Sequence, residues 1–377
     1  MQRFRLTCAR CGKSKPFELT GRCACGGTLL VEYDLETIRK HVDKESFQSK
    51  GSSMWRYREL LPVTNPEKIV TLGEGWTPLI RLPRLERIFP VKQLWVKREE
   101  QNPTGSFKAR GFSAAVTLLH ERNVTSVAVP SNGNAASALA AYAGRAGMEA
   151  YVFVPADCPG MIVYEAKHYG AHTYQVNGLI HDAGKIIEDG KHEQQWFNVG
   201  TLKEPGRVEG KKTMGYELAE QLGWTLPDVI VYPTGGGSGI IGMWKAFREL
   251  KELGWIDCPF PRMISVQEKG CEPLVTALKN GQPVEPPAQP VASAPTGMRV
   301  PLPPDGGLIV SILKETGGTA VAVSRQEIAR AAKLFGCQGI SASPEGAAAL
   351  AGFIRLSQQG AVHDNESVVL FNTAHAL

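Results

Sequence analysis

The sequence predicts an α/β protein of two lobes, each built on mostly parallel sheets with helices on both faces, preceded by a small cysteine-rich unit. Three observations carry this. Short apolar strands alternate with helical stretches over most of the chain, the pattern of parallel strands joined by helical crossovers. The chain has 377 residues, long for one compact core. Four of its eight cysteines fall within the first 25 residues.

The elements follow in order. Residues 1–33 hold Cys8-Ala-Arg-Cys11 and Cys23-Ala-Cys25-Gly-Gly. VEYDLETIRKHV reads as a strand end running into a helix. The polar stretch 54–80 ends in LGEGWTPL, with Gly73 and Gly75 marking a turn. QLWVKREE (93–100) alternates like a strand, and 107–122 reads as a helix. SVAVP (126–130) is a short apolar strand, SNGN a turn, and 135–147 an alanine-rich helix stopped by Gly147. Strands at 150–155, 171–176 and 195–199 alternate with helices near 160–169 and over 179–190. A helix at 210–223, the buried-type strand 228–233, a helix at 239–253 and the strand 262–268 follow. The proline-rich 280–307 reads as an ordered loop wrapping a lobe, with a flexible linker as the alternative. The expected units are 1–33, a large lobe of 34–117 with 205–377, and a small mobile lobe of 118–204.

Composition narrows the function. Apolar residues make up 43% and charged residues 21%, ordinary for a globular protein. A net charge of +5 is too small to argue for nucleic acid and is compatible with anionic substrates. No apolar run is long enough to span a bilayer, and MQRFRLTCARCGKSK lacks the apolar core and cleavage site of a secretory signal. Cysteines clustered at metal-like spacing fit thiolates in a reducing compartment, so a cytoplasmic location without membrane or nucleic-acid partners is expected.

Three motifs carry chemistry. In Asn102-Pro103-Thr104-Gly105-Ser106-Phe107-Lys108 a turn delivers one lysine to a helix start, where positive partial charge should lower its pKa and favour the neutral amine that imine chemistry needs. Ser131-Asn132-Gly133-Asn134 lies between a strand and a helix, where free amide donors form an anion or carboxylate site. Thr234-Gly235-Gly236-Gly237-Ser238-Gly239 follows the strongest strand; its glycines let N–H groups converge on a phosphate. It lacks the Lys-Ser/Thr ending of a nucleotide P-loop and the spacing of a dinucleotide fingerprint. Singly, these motifs read as a surface lysine, a capped turn and a glycine-rich loop. Together they describe an amine, a polar clamp and a phosphate cup, the parts of a site for pyridoxal phosphate (PLP).

On these motifs the chain resembles the threonine-synthase-like branch of the tryptophan-synthase-β-like, fold-type II PLP enzymes. The resemblance covers nearly the whole chain: LGEGWTPL (72–79), NPTGSFKARG (102–111), SNGNAASALAAYAGRAG (131–147), RVEGKKTMGYELAEQLG (207–223), PTGGGSG (233–239), SASPEGAAALAG (341–352) and FNTAHAL (371–377). It implies that Lys108 forms the Schiff base with PLP and that Asn134 bonds the ring oxygen. Gly235, Gly236, Gly237, Ser238 and Gly239 would hold the cofactor phosphate, and Thr373 would face the pyridine nitrogen. A neutral hydroxyl there leaves that nitrogen largely unprotonated, which suits elimination and replacement better than transamination. Ser106, Ser131 and Asn132 become candidates for the substrate carboxylate. Asn198 and Arg207 match positions that contact a substrate phosphate, where a guanidinium can bind in bidentate fashion.

The implied reaction converts O-phosphohomoserine and water to threonine and phosphate in a homodimer, the small lobe closing over the site to exclude water. The branch also admits β-replacement on O-phosphoserine, as in cysteate-synthase-like enzymes, and serine or threonine dehydration. An inactive PLP-fold binding protein is a third reading, with the cysteine unit as docking module. Four features depart from the family pattern: Ala109 for Asp, Ala135 for Thr, Asn132 for Ser or Thr, and a Thr-Ala-His-Ala-Leu tail where glycines are usual. The first three bear on a phosphorylated substrate and the last on Thr373.

Cys8, Cys11, Cys23 and Cys25 could form a four-thiolate zinc ribbon; such extensions occur in relatives, some with incomplete cysteine sets. The second pair is one residue short of the usual spacing, so structural zinc and a metal-free vestige both stand. No histidine precedes His41 to complete a mixed site. His168, His172, His181 and His192 read as surface or packing residues.

Overall fold

The computed structural model describes residues 4–287, 294 and 296–376. Residues 288–293 and 295 of the proline-rich segment, and Leu377 of the tail, lie outside them. The chain opens with β1 (Phe4–Cys8), β2 (Ser14–Pro16) and β3 (Leu29–Tyr33), an antiparallel sheet of order β2-β1-β3. Alternation along β1 turns Phe4 and Leu6 inward, where they meet Phe17, Leu29, Val31 and Leu118. Helix α1 (Leu35–His41) starts at Asp34, whose carboxylate accepts from the Thr37 N–H. Short 3-10 turns occupy much of 44–68, followed by β4 (Leu79–Arg81), α2 (Pro83–Glu86) and β5 (Gln93–Arg98).

Helix α3 (Lys108–His120) leads into β6 (Ser126–Pro130), α4 (Ala135–Arg145), β7 (Glu149–Pro155), α5 (Gly160–His168), β8 (His172–Val176), α6 (Ile180–Gln194) and β9 (Phe197–Asn198). These four strands pair in parallel in the order β8-β7-β6-β9. Apolar residues of α3, α4 and α5 cover one face, and Ala183 and Ile187 of α6 pack on the other with Trp196.

The chain continues through α7 (Gly206–Gln221), β10 (Val229–Pro233), α8 (Ser238–Glu252), β11 (Arg262–Glu268), α9 (Pro273–Asn280), α10 (Gly306–Glu315), β12 (Thr319–Val323), α11 (Arg325–Gly336), α12 (Pro344–Gln358) and β13 (Ser367–Asn372). The larger sheet has the order β12-β11-β10-β13-β5-β4 and is parallel except for β4. Apolar residues of α11 and α12 pack on one face, those of α7, α8 and α10 on the other. The parallel sheets, helices on both faces and cysteine unit are those the sequence predicts.

Several boundaries shift by a few residues, α6 running to Gln194 past the expected 190, and two of the shifts have a clear physical reason. Helix α7 starts at Gly206, ahead of the expected 210. Its glycines weaken the helical signal, but they serve packing: a Cβ on Gly210 would stand 2.0 Å from the Arg110 carbonyl oxygen, and one on Gly206 2.7 Å from Ala115 Cα. The expected strand 195–199 shortens to Phe197–Asn198, because Gln195 ends α6 in a left-handed conformation (φ 52°). Among the described residues no helix is long and apolar enough to cross a membrane.

Candidate active site

In parallel sheets the loops leaving the carboxyl ends of strands gather on one edge and form binding crevices. Here β5, β13 and β10 are neighbours in the large sheet. The loops that follow them carry Lys108, Thr373 and the 234–237 glycine turn. The loop after β6 adds 131–134 from the smaller sheet. They surround a cavity of about 540 Å³, within the range of small-molecule and cofactor sites.

Lys108 is the first residue of α3. Thr104 (φ 60°) and Gly105 (φ 63°) make the sharp turn before it. The C-terminal tail fixes that turn. Phe107 N–H donates to the Thr373 carbonyl (3.0 Å), His375 N–H to the Gly105 carbonyl (2.9 Å), and Ser106 forms an antiparallel bridge with Ala374. The alanines and histidine of the tail thus preserve the pairing that sets buried Thr373 beside the lysine. The Lys108 amine, open toward the cavity, stands 4.1 Å from the Phe107 ring centroid. Its pKa falls to about 8, first because surrounding protein replaces water and second because Arg207 is near, with Glu345 opposing. The direction is the one expected from the helix start, but burial is the larger cause.

The glycine turn is packed so that side chains cannot enter. A Cβ on Gly235 would lie 2.1 Å from the Gly297 carbonyl oxygen, and one on Gly239 2.2 Å from the Tyr232 hydroxyl. Gly237 (φ 77°) would drive a Cβ to 2.0 Å from Ile309. Only bare backbone fits, and it delivers N–H groups to the start of α8. Below it, buried Lys211 donates from Nζ to the Ser238 hydroxyl (2.7 Å). Burial, then Arg207 and Lys108, push the Lys211 pKa well down. Asn134 opens α4 without a side-chain capping bond, leaving its amide to face the cavity. A turn of N–H donors, a lysine under it, a low-pKa amine and an uncommitted amide fit a phosphorylated aldehyde cofactor.

The remaining expected residues divide. Arg207 lines the cavity; its Nη1 donates to the Val199 carbonyl (2.8 Å) while buried Nε lacks a partner among the described residues. Its pKa falls to about 10 through burial, offset in part by Glu204. Asn132 donates to the Arg299 carbonyl (2.8 Å), and its buried Oδ1 has no partner among the described residues. Ser131 and Asn198 line the cavity but are already bonded. The Ser131 hydroxyl donates to the Gly133 carbonyl and accepts from Gly133 and Ala136 N–H groups. Asn198 donates to Glu188 (3.0 Å) and accepts from Gly200 N–H (2.9 Å). Ser106 is fully buried, is not part of the cavity wall, and its hydroxyl has no partner among the described residues.

The sequence reading missed several wall residues. His181, placed there among surface or packing residues, lines the cavity with Lys185, Thr201 and Lys203. Glu345 lines it too and accepts from Gly297 N–H (2.7 Å). Only the EGKK and SPEG strings could have flagged Lys211 and Glu345; nothing in the local sequence marked the others. The four N-terminal cysteines stand apart as one cluster, their sulfurs all within 4.8 Å of one another.

Residues 70–374 match the family model described as "Pyridoxal-phosphate dependent enzyme". A threonine synthase of Methanocaldococcus jannaschii is 36% identical over 374 residues, covering 98% of this chain and 92% of that protein. One of Methanosarcina acetivorans is 36% identical over 378 residues, covering 99% and 92%. Among solved structures, maize serine racemase superposes with a TM-score of 0.70 at 22% identity, covering 87% of this chain and 94% of that one, a likeness of fold. By these matches the chain belongs to the fold-type II pyridoxal-phosphate dependent enzymes, among their threonine-synthase-like members.

Proposed function

We propose that this enzyme converts O-phosphohomoserine and water to threonine and phosphate. The observation that carries the reading is the gathering of Lys108, the glycine turn and the partly unpaired guanidinium of Arg207 around one cavity. When bound, PLP supplies an electron sink for carbanions of the substrate. Gly235 to Gly239 would hold its phosphate through backbone N–H groups, with the Lys211 amine bonded to Ser238 beneath them. Asn134 would donate to its ring oxygen, and the Thr373 hydroxyl would face its ring nitrogen.

Lys108 is the base. A pKa of about 8 leaves roughly one amine in ten neutral at pH 7, against about three in ten thousand at the ordinary 10.5. It removes the protons at Cα and Cβ and returns protons at Cγ and Cα, while water supplies the hydroxyl at Cβ. Arg207 holds the substrate phosphate as it departs from Cγ, and Lys203 adds positive charge at the same wall. Asn132 and N–H groups of its loop hold the carboxylate; the Ser131 hydroxyl shapes that loop. Asn198 orients Glu188, which Lys191, Asn198 and Lys203 keep ionised well below the usual carboxylate range. The 118–204 lobe closes over the substrate, and the enzyme works as a cytoplasmic homodimer.

The test is a product assay across O-phosphohomoserine, O-phosphoserine, serine and threonine. Threonine and phosphate from phosphohomoserine are expected. Turnover of phosphoserine alone, or of the unphosphorylated amino acids alone, overturns the assignment in favour of β-replacement or dehydration.

A further inference from the structure

We propose that Cys8, Cys11, Cys23 and Cys25 bind one zinc ion, and that the metal-fastened unit clamps the 200–204 segment in place as part of the cavity wall. Zinc held by four thiolates at about 2.3 Å has sulfurs about 3.8 Å apart. Here Cys8 and Cys25 sulfurs are 3.5 Å apart, Cys11 and Cys23 sulfurs 3.8 Å, and all four lie within 4.8 Å.

The two pairs close turns that differ by one residue, following their unequal spacing. Gly12 N–H donates to the Cys8 carbonyl (3.0 Å) and Gly26 N–H to the Cys23 carbonyl (2.8 Å). Both glycines have positive φ, 70° and 80°. Gly27 makes room beside them, since a Cβ there would stand 2.8 Å from the Cys8 sulfur. The one-residue deficit is thus absorbed by a turn that glycine permits. Around the thiolates, Arg10 donates to the Cys25 carbonyl (3.1 Å) and Arg22 to the Gly26 carbonyl (2.9 Å), placing positive charge beside a site whose thiolates outnumber the charge of the dication.

The cluster lies at one end of a chain of contacts that reaches the cavity. Gly21 N–H donates to the Lys203 carbonyl (2.9 Å). A Cβ on Gly21 would meet the Leu202 carbonyl oxygen at 2.2 Å, so the two backbones touch. Leu202 is itself held in a left-handed conformation (φ 58°). Thr28 donates from its N–H (3.0 Å) and hydroxyl (2.7 Å) to buried Asp305, which caps α10. Thr201, Lys203 and Pro304 line the cavity. Thr201 also packs on the glycine turn, its Cγ2 2.9 Å from where a Cβ on Gly236 would be.

The test uses the holoenzyme purified in reductant, with metal content by plasma mass spectrometry and hydrogen exchange by peptide. About one zinc per chain is expected. Cys11→Ser and Cys25→Ser, at the two exposed cysteines of the cluster, should lose the zinc and keep their PLP. In both, peptides covering 199–207 should exchange roughly tenfold faster or more, with β5 and β13 unchanged. Substoichiometric zinc, iron in its place, or an intact mass showing disulfides overturns the metal site. Zinc loss with unchanged exchange in 199–207 overturns the clamp. Neither readout uses a substrate, so failure here is distinct from failure of the proposed reaction.

Discussion

Helix α3 carries two cations two positions apart, and their surroundings are opposite. Arg110 is fully buried and saturated: it donates to Glu99 through Nε and Nη2 (both 2.7 Å) and to Glu217 through Nη2 (2.7 Å), while Lys97 reaches Glu217 (2.9 Å). Two cations meet two carboxylates, and Arg110 is held well above its ordinary pKa. Across α7 the same balance recurs, with Lys212 and Lys245 set between Glu209 and Glu249. Lys108, Lys211 and Arg207 have no such balance. Burial lowers the pKa of all three, as it lowers those of the paired Lys97 and Lys212; what differs is the partner, since Glu204, which opposes the shift of Lys211 and Arg207, is itself pushed up to about 7 by burial. Buried charge that is fully paired organises the fold; buried cations short of carboxylates form a site prepared for anions.

The sharpest way to break this contrast is to exchange the consequences. Lys108→Ala should lower turnover by about a thousandfold or more and abolish the visible band of bound PLP, with little loss of stability. A stability loss as large as the activity loss would erase the distinction. Glu217→Gln should do the reverse. Leaving Arg110 and Lys97 underpaired in the interior should cost about 3–5 kcal/mol in urea unfolding, with turnover per folded molecule retained. A cost below about 1 kcal/mol, the scale of an exposed pair, would show that the network is not a structural unit.

Lys211→Gln is expected to weaken PLP by roughly tenfold, the scale of one hydrogen bond toward a charged group, without destabilising the PLP-free protein. Equilibrium dialysis and thermal melting check the two halves. An effect of a different kind is in pH. Lys108 has a folded pKa of about 8, below its ordinary 10.5, so folding is penalised wherever the amine of the unfolded chain is protonated. The penalty is fully present below pH about 8 and is relieved as pH rises toward the unfolded value. The stability of the PLP-free protein relative to Lys108→Met should therefore rise across that window. A flat difference would place the amine in water rather than in protein.

The contrast also marks where the sequence stops being informative. Lys108, Asn134 and the glycine turn were legible because each sits where a strand hands over to a loop or helix, a local event written in local residues; Thr373 came only from the family resemblance. Ser131 and Asn198 were legible as positions but not in their bonding, since Glu188 and Gly133 are the groups they meet. Arg110 and Glu217 carry no local mark of their role; their pairing spans residues far apart in the chain and exists only once α3 and α7 pack.

By itself, then, the sequence determined the alternation of strands and helices, the fold class that alternation permits, and the loops able to hold a phosphorylated cofactor. Periodicity and turn chemistry act over a few residues, so one chain read in order is enough to see them. The tertiary structure alone decided which cations lose their proton affinity, why α7 begins on glycines, and that the N-terminal unit bonds to the 200–204 segment. Those outcomes depend on burial and on atoms brought together from distant parts of the chain, and neither is a property of any local stretch of it.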